Sequence, residues 1–468
     1  MKEFSYKPEN GWVGDVIPYY ENGKYYAFYL HDPRCKGEGV YAEDTTWHLA
    51  VTENGLDFEN KGESIERGSE NKPYLNNYTG SVIKDRDGLY HAYFTAFNEA
   101  YKEDGKAVQS VMEAVGEDLL HLEIKEESRF TADNEIYEMF DWRDPYVFYN
   151  EEKKEYWMLL CARRKGTGYH RGGCIALCTS KDLKEWKYEA PFYEPDMYIT
   201  MECPEVFKMG RWYYLVFSTF SDRFLTHYRK AESLDGPWLI PVEDSLDARC
   251  CYAIKTAGDD TRRFAFGWIP TRRGCTDYGP WEWGGTMMVH QLKQEDDGDL
   301  SILPLKALDD LYCVKEYEGK DIRLSSDGLS SFLLPSSDCF SMDVDLESDA
   351  SEFGFILDTD ETLENGYQLK IRNSTVSWDI WPRKAGNGCY QWQIDGDKAF
   401  LVETIRYLKP AHSNYRIRIF RSSETVVVYI NDTALSMRFY RKSGGKMGIY
   451  SVGGDTRIKN LTVKSQKQ

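Results

Sequence analysis

Three acidic residues have the types and settings to do chemistry in this chain. Asp15 lies in Trp12-Val-Gly-Asp-Val-Ile-Pro18, Asp144 in Trp142-Arg-Asp-Pro-Tyr-Val-Phe148, and Glu202 in Met201-Glu-Cys-Pro-Glu-Val-Phe207. Each comes just before a Tyr- or Trp-rich apolar stretch. Carboxyl groups used in pairs, one protonated and one ionised, are what cleavage of a glycosidic bond requires. Gathering three of them costs stability through like-charge repulsion, so a fold that does so has a use for them.

The apolar stretches that follow are repeats, and they define the elements that must position these residues. The five copies begin at Asn22, Asp87, Lys154, Gly210 and Thr261, roughly 50–65 residues apart. After each of the first four comes a second strand, a turn with a small or acidic residue, and an aromatic or Leu. Units of four short strands repeated five times predict a five-bladed β-propeller over residues 1–300. Asp15, Asp144 and Glu202 then fall on the innermost strands of their blades and converge on the central channel. A short helical connector is expected within 301–322. Alternating strands joined by Asn, Asp and Gly turns predict a β-sandwich over 323–468. The expected fold class is all-β.

Arg143-Asp144-Pro145 and Glu202-Cys203-Pro204 resemble two motifs of glycoside hydrolase family 32, the invertase and fructanase family, whose members join a five-bladed propeller to a β-sandwich. Thr79-Gly-Ser81, Ala176 to Trp186, Asp247 to Ala253 and Phe266-Gly-Trp268 resemble further family segments in the same order. The resemblance implies Asp15 as nucleophile, Glu202 as acid/base, Asp144 as stabiliser of the transition state, and retention of configuration. It also implies a β-fructofuranosidic substrate such as sucrose or a short fructo-oligosaccharide. The chain departs from the family pattern at Gly14, Val16 and Leu30, where Asn, Pro and Gln are usual; this bears on sugar specificity.

Arg143 is read as a donor to sugar or carboxylate. Trp12, Trp47, Trp142, Trp281 and Trp283 are candidates for stacking walls around the sugar, and Ser81 for a contact to it. Glu205, His48 and His227 are read as structural. Nothing in the sequence calls for a metal or organic cofactor.

Composition narrows the classes. The net charge of −19 and the lack of a strongly basic run argue against nucleic acid. No apolar run is long enough for a membrane helix, and no signal peptide is expected. The 11 scattered cysteines form no disulfide framework or zinc pattern, and they point to free thiols and a cytoplasmic protein. The expected partner is a small carbohydrate. Rival readings are an inverting furanosidase of arabinanase or xylosidase type, a fructosyltransferase, and a sugar-binding propeller without activity.

Overall fold

The computed structural model describes residues 1–34, 44–259, 261–372, 374–381, 406–407, 413–440 and 445–467. The chain is built almost wholly of β-strands, as its alternating apolar pattern requires.

Five antiparallel groups succeed one another. The first is β1–β4 (Trp12–Glu21, Lys24–Asp32, Thr46–Thr52, Glu59–Ile65) and the second β5–β8 (Asn76–Lys84, Tyr90–Phe97, Gln109–Gly116, Glu123–Phe130). The third is β9–β12 (Tyr137–Asn150, Glu155–Arg164, Gly173–Ser180, Lys187–Tyr188). The fourth is β13–β15 (Glu202–Met209, Trp212–Thr219, Leu225–Ala231), with a lone bridge from Leu239 to Lys230 on its outer edge. The fifth is β16–β19 (Tyr252–Gly258, Arg263–Arg272, Trp281–Gln294, Leu300–Leu303). The first strands touch in the cycle β1, β5, β9, β13, β16 and back to β1. The seam is closed by Val13 against Gly285 and by a bridge from Tyr6 to Met287. This cycle is the arrangement expected of a five-bladed propeller.

The period-two pattern explains why the groups stack. In β10, Met158, Leu160 and Ala162 pack against the second group, while Leu159 packs against the fourth. In β6, Tyr93 faces the third group, and Ala92 and Phe94 face the first. Strands buried on both faces are apolar throughout, and the aromatic richness of the sequence is spent on these interfaces.

All five first strands are irregular at the same level. The register breaks between Val13 and Val16, Tyr78 and Gly80, Glu202 and Glu205, and Tyr252 and Lys255, and in β9 between the partners of Leu159 and Cys161. Asp144, Cys203 and Ala253 have φ of 59°, 50° and 52° there. Such bulges re-aim the side chains that carry them.

A helix, α1 (Lys306–Leu311), leads into the last sheet, which starts at Val314 rather than at 323. Its strands are β20–β24 (Val314–Pro335, Cys339–Ser348, Glu352–Thr359, Gly366–Arg372, Thr375–Trp381) and β25–β29 (Arg406–Tyr407, Asn414–Ser422, Thr425–Ile430, Thr433–Arg438, Lys446–Ser465). Long β29 pairs with β20 along its length, with β22 through its first half and with β21 through its second. The two halves share one core that includes Phe355, Leu369, Trp378, Ile417 and Val428. Buried Arg438 donates to the carbonyls of Pro270 and Ile269, tying this sheet to the fifth group.

Candidate active site

The five bulges bring the site together. Asp15 comes from β1, Thr79 from β5, Arg143 and Asp144 from β9, Glu202 and Cys203 from β13, and Tyr252 and Lys255 from β16. Both oxygens of Asp15 are held: Thr79 Oγ1 donates to Oδ2 at 2.6 Å and Trp268 Nε1 to Oδ1 at 2.8 Å. Cys203 links the acidic residues. Its backbone N–H donates to Asp144 Oδ2 at 2.9 Å, its thiol lies 3.8 Å from Asp15 Oδ2, and it follows Glu202 in the chain. Glu202 accepts from Arg143 Nη2 at 3.0 Å and from the Tyr252 hydroxyl at 2.8 Å. Asp144 is fixed again through its N–H, which donates to Thr95 Oγ1 at 2.7 Å; that hydroxyl in turn donates to the Thr79 carbonyl.

Burial raises the Asp15 carboxyl above the usual range, against the hydrogen bonds from Thr79 and Trp268 that hold it down. Burial pushes Asp144 up to about 6, against the Arg143 guanidinium. Two cations temper the acidic cluster. Arg143 bridges Glu202 and Asp141, and Lys255, buried in the ring, donates to the Gly80 carbonyl at 2.7 Å. A carboxyl group held by hydrogen bonds on both oxygens, with a second carboxyl and its own donors close by, has the groups that displacement at an anomeric carbon requires.

Not every residue expected at the sugar is there. Trp142 is fully buried among Phe130, Tyr137 and Tyr188, in the interface of the second and third groups. Trp47 is equally buried against Phe28 and Phe94, its indole donating to the Tyr78 carbonyl. Ser81 accepts from the Val147 N–H at 2.9 Å, and Thr79 takes the place beside Asp15 instead. Trp12 lines a cavity of about 520 Å³ with Tyr6, Phe58 and Arg438 that none of the three carboxylates borders. Trp281 stacks under Arg272 on the outside. Trp283 does reach the site: its ring sits edge-on to Trp268 at 5.9 Å and fills the space over Gly14. Arg34 fixes it by donating to its carbonyl at 2.6 Å.

Glu205 is structural, accepting from the N–H and hydroxyl of Thr256. His48 packs flat on His31, and His227 lies between Asp222 and Asp244. Among the described residues every cysteine is a free thiol. Asp247, Cys251 and His290 also converge, and Asp247 accepts from the N–H and hydroxyl of Ser436 in the last sheet.

Lys255 was not singled out from sequence, and Thr79, Tyr252 and Trp268 entered only within segments that resemble the family's, with no role of their own. Glu202 and Tyr252 stand just before the register break of their strands, as Arg143 does, whereas Asp15, Thr79 and Asp144 lie inside theirs, so all of them cluster where the first strands of the repeat frame are irregular. Trp268, on a second strand, was marked in the sequence only by the Phe266-Gly-Trp268 segment.

A family model described as Glycosyl hydrolases family 32 N-terminal domain matches residues 6–303. The chain belongs to glycosyl hydrolases family 32. It is a glycosidase acting on O-glycosyl bonds. Among curated family 32 relatives, it is 23% identical to sucrose-6-phosphate hydrolase of Escherichia coli, over 93% of this chain and 88% of that one. It is also 23% identical to the levanase of Bacillus subtilis, over 100% of this chain and 70% of the relative. Among solved structures, fructan 1-exohydrolase IIa of Cichorium intybus superposes with a TM-score of 0.77 at 14% identity, covering 100% of this chain and 97% of the other. Sucrose-6-phosphate hydrolase of Lactobacillus gasseri gives 0.76 at 18%, covering 100% and 93%. These structures share the fold.

Proposed function

We propose that this family 32 enzyme hydrolyses β-fructofuranosidic bonds of small sugars, of the sucrose or short fructo-oligosaccharide kind, with retention. The observation that carries the reading is the pair of donors on Asp15. Thr79 and Trp268 hold both oxygens and keep the carboxylate aimed, as a nucleophile must be, while Cys203 ties it to Asp144 and leads to Glu202. Sucrose-6-phosphate, levan and raffinose, named in curated relatives, share a fructosyl bond.

In this reading Asp15 attacks the anomeric carbon while protonated Glu202 delivers its proton to the departing oxygen. Tyr252 and Arg143, one on each oxygen of Glu202, orient that carboxyl. Water activated by the deprotonated Glu202 then releases the sugar from Asp15 and restores the proton. Asp144 accepts from sugar hydroxyls and stabilises the positive charge that develops on the ring. The free thiols support action in a reducing compartment such as the cytoplasm.

The test is proton NMR of the first-formed fructose from sucrose and short fructans. Release of β-fructofuranose before mutarotation is the expected result. Initial release of the α-anomer, or no release from any β-fructofuranoside, overturns the proposal.

A further inference from the structure

We propose that the outer face of Phe224 is the platform for the leaving group of the substrate, and that this group is a neutral pyranose sugar. The inference rests on the fructosidase reading above.

The group that leaves must lie beside Glu202, because Glu202 protonates the bond oxygen. The flank of Glu202 away from Arg143 is formed by Tyr252, whose hydroxyl donates to Oε2 at 2.8 Å. Tyr252 itself is only 6% exposed, because the Phe224 ring lies flat on it, with centroids 4.1 Å apart and planes 16° from parallel. What this wall turns to solvent is a phenyl face, with Phe224 37% exposed and Phe220 on the same turn 44% exposed.

The chain holds this half-exposed ring at a backbone cost. Phe224 has a φ of 59°, a conformation unfavourable for a bulky residue. Its neighbours are anchored. Asp222 lies 3.3 Å from His227 Nε2 and Arg223 lies 3.5 Å from Asp244, which also pairs with His227 at 2.9 Å. The turn between β14 and β15 is therefore clamped and the ring is preorganised. Stacking on Tyr252 covers one face of the ring, and the 37% of Phe224 that stays exposed leaves its other face open to a ligand. An aromatic face offers neither charge nor a conventional hydrogen-bond donor. It suits the C–H face of a pyranose and not a phosphate.

The test compares Phe224→Ala and Phe224→Trp with the unmutated enzyme on two substrates: sucrose, whose leaving group is a pyranose, and methyl β-fructofuranoside, whose leaving group has no ring. Phe224→Ala is expected to lower kcat/KM on sucrose by about five- to ten-fold, mainly through KM, with less than about two-fold change on the methyl glycoside. Phe224→Trp restores sucrose hydrolysis. An equal loss on both substrates would show that Phe224 serves only to cap Tyr252, and no loss on either would remove it from the site; each overturns the inference while leaving the fructosidase reading intact. An unmutated enzyme inert on both substrates overturns that reading and this inference with it. Thermal melts of the variants matching that of the parent exclude loss of folding as the cause.

Discussion

A β-carbon on Gly14 would lie 2.1 Å from Cη2 of Trp283. The two residues therefore make one wall: glycine beside Asp15 leaves the space, and the indole, held by Arg34 and turned edge-on to Trp268, fills it. By the resemblance to family 32, residue 14 stands where Asn is usual, and in this chain the ring of Trp283 occupies that space.

Gly14→Ala should push that ring aside. We expect a loss of about 1–3 kcal/mol of stability and a raised KM. Trp283→Ala should also raise KM but tolerate Ala at residue 14. The double variant should then be less impaired than the sum of the singles, and a double-mutant cycle in KM and melting temperature reads this coupling directly.

Asp15→Asn and Glu202→Gln should each lower kcat by a factor on the order of 10² to 10⁴ with little change in circular dichroism or melting temperature. Turnover within a few-fold of the parent in either variant would contradict the assigned roles.

Asp144 makes the opposite trade. Its carboxyl is raised from 3.8 to about 6 in the folded protein. Between those values the folded state holds a proton that the unfolded state has lost, so its ionisation is a stability penalty at neutral pH, relieved as pH falls through about 6. Asp144→Asn keeps an acceptor for the Cys203 N–H and removes the charge. We expect inactivity together with a gain on the order of 1–3 kcal/mol at pH 7. The difference in melting temperature between variant and parent should shrink as pH is lowered to 5; a variant less stable than the parent at pH 7 contradicts this.

Lys255 sits among Asp15, Cys203 and Glu205, with Tyr146, Arg263 and Thr256 around them, and its charge lowers the Asp15 carboxyl. In the proposed mechanism Asp15 attacks as its carboxylate, so kcat/KM is expected to fall as the medium becomes acid enough to protonate it. Removing the cation in Lys255→Met destabilises the carboxylate, and the acid limb of the pH profile should move to higher pH. Lys255→Arg, which keeps the charge, should hold the limb near its original position. A profile unchanged in Lys255→Met would assign the residue to packing alone.

The groups of strands and the three carboxylates were legible in the sequence because both follow from periodicity: the aromatic strands recur, and each acid stands just ahead of one. The neighbours of those acids were misjudged for a physical reason. In a regular strand Trp142 and Asp144 would share a face, as would Thr79 and Ser81. The bulges break that parity, turning Asp144 and Thr79 inward while Trp142 and Ser81 stay in the stacked interfaces. A bulge leaves no reliable trace in composition. Trp268 and Trp283 were visible as residues, but their meeting depends on strand pairings within the fifth group and across the seam, which local pattern does not encode.

Since Thr79, Asp144, Glu202 and Tyr252 come from four different groups and Asp15 from a fifth, no fragment short of the whole cycle contains a working site. Sugar cleavage should therefore be the last property to return when the unfolded chain is diluted from denaturant, lagging behind recovery of strand signal and tryptophan burial. A simple assay of released fructose over time is therefore expected to double as a clock for completion of the whole cycle.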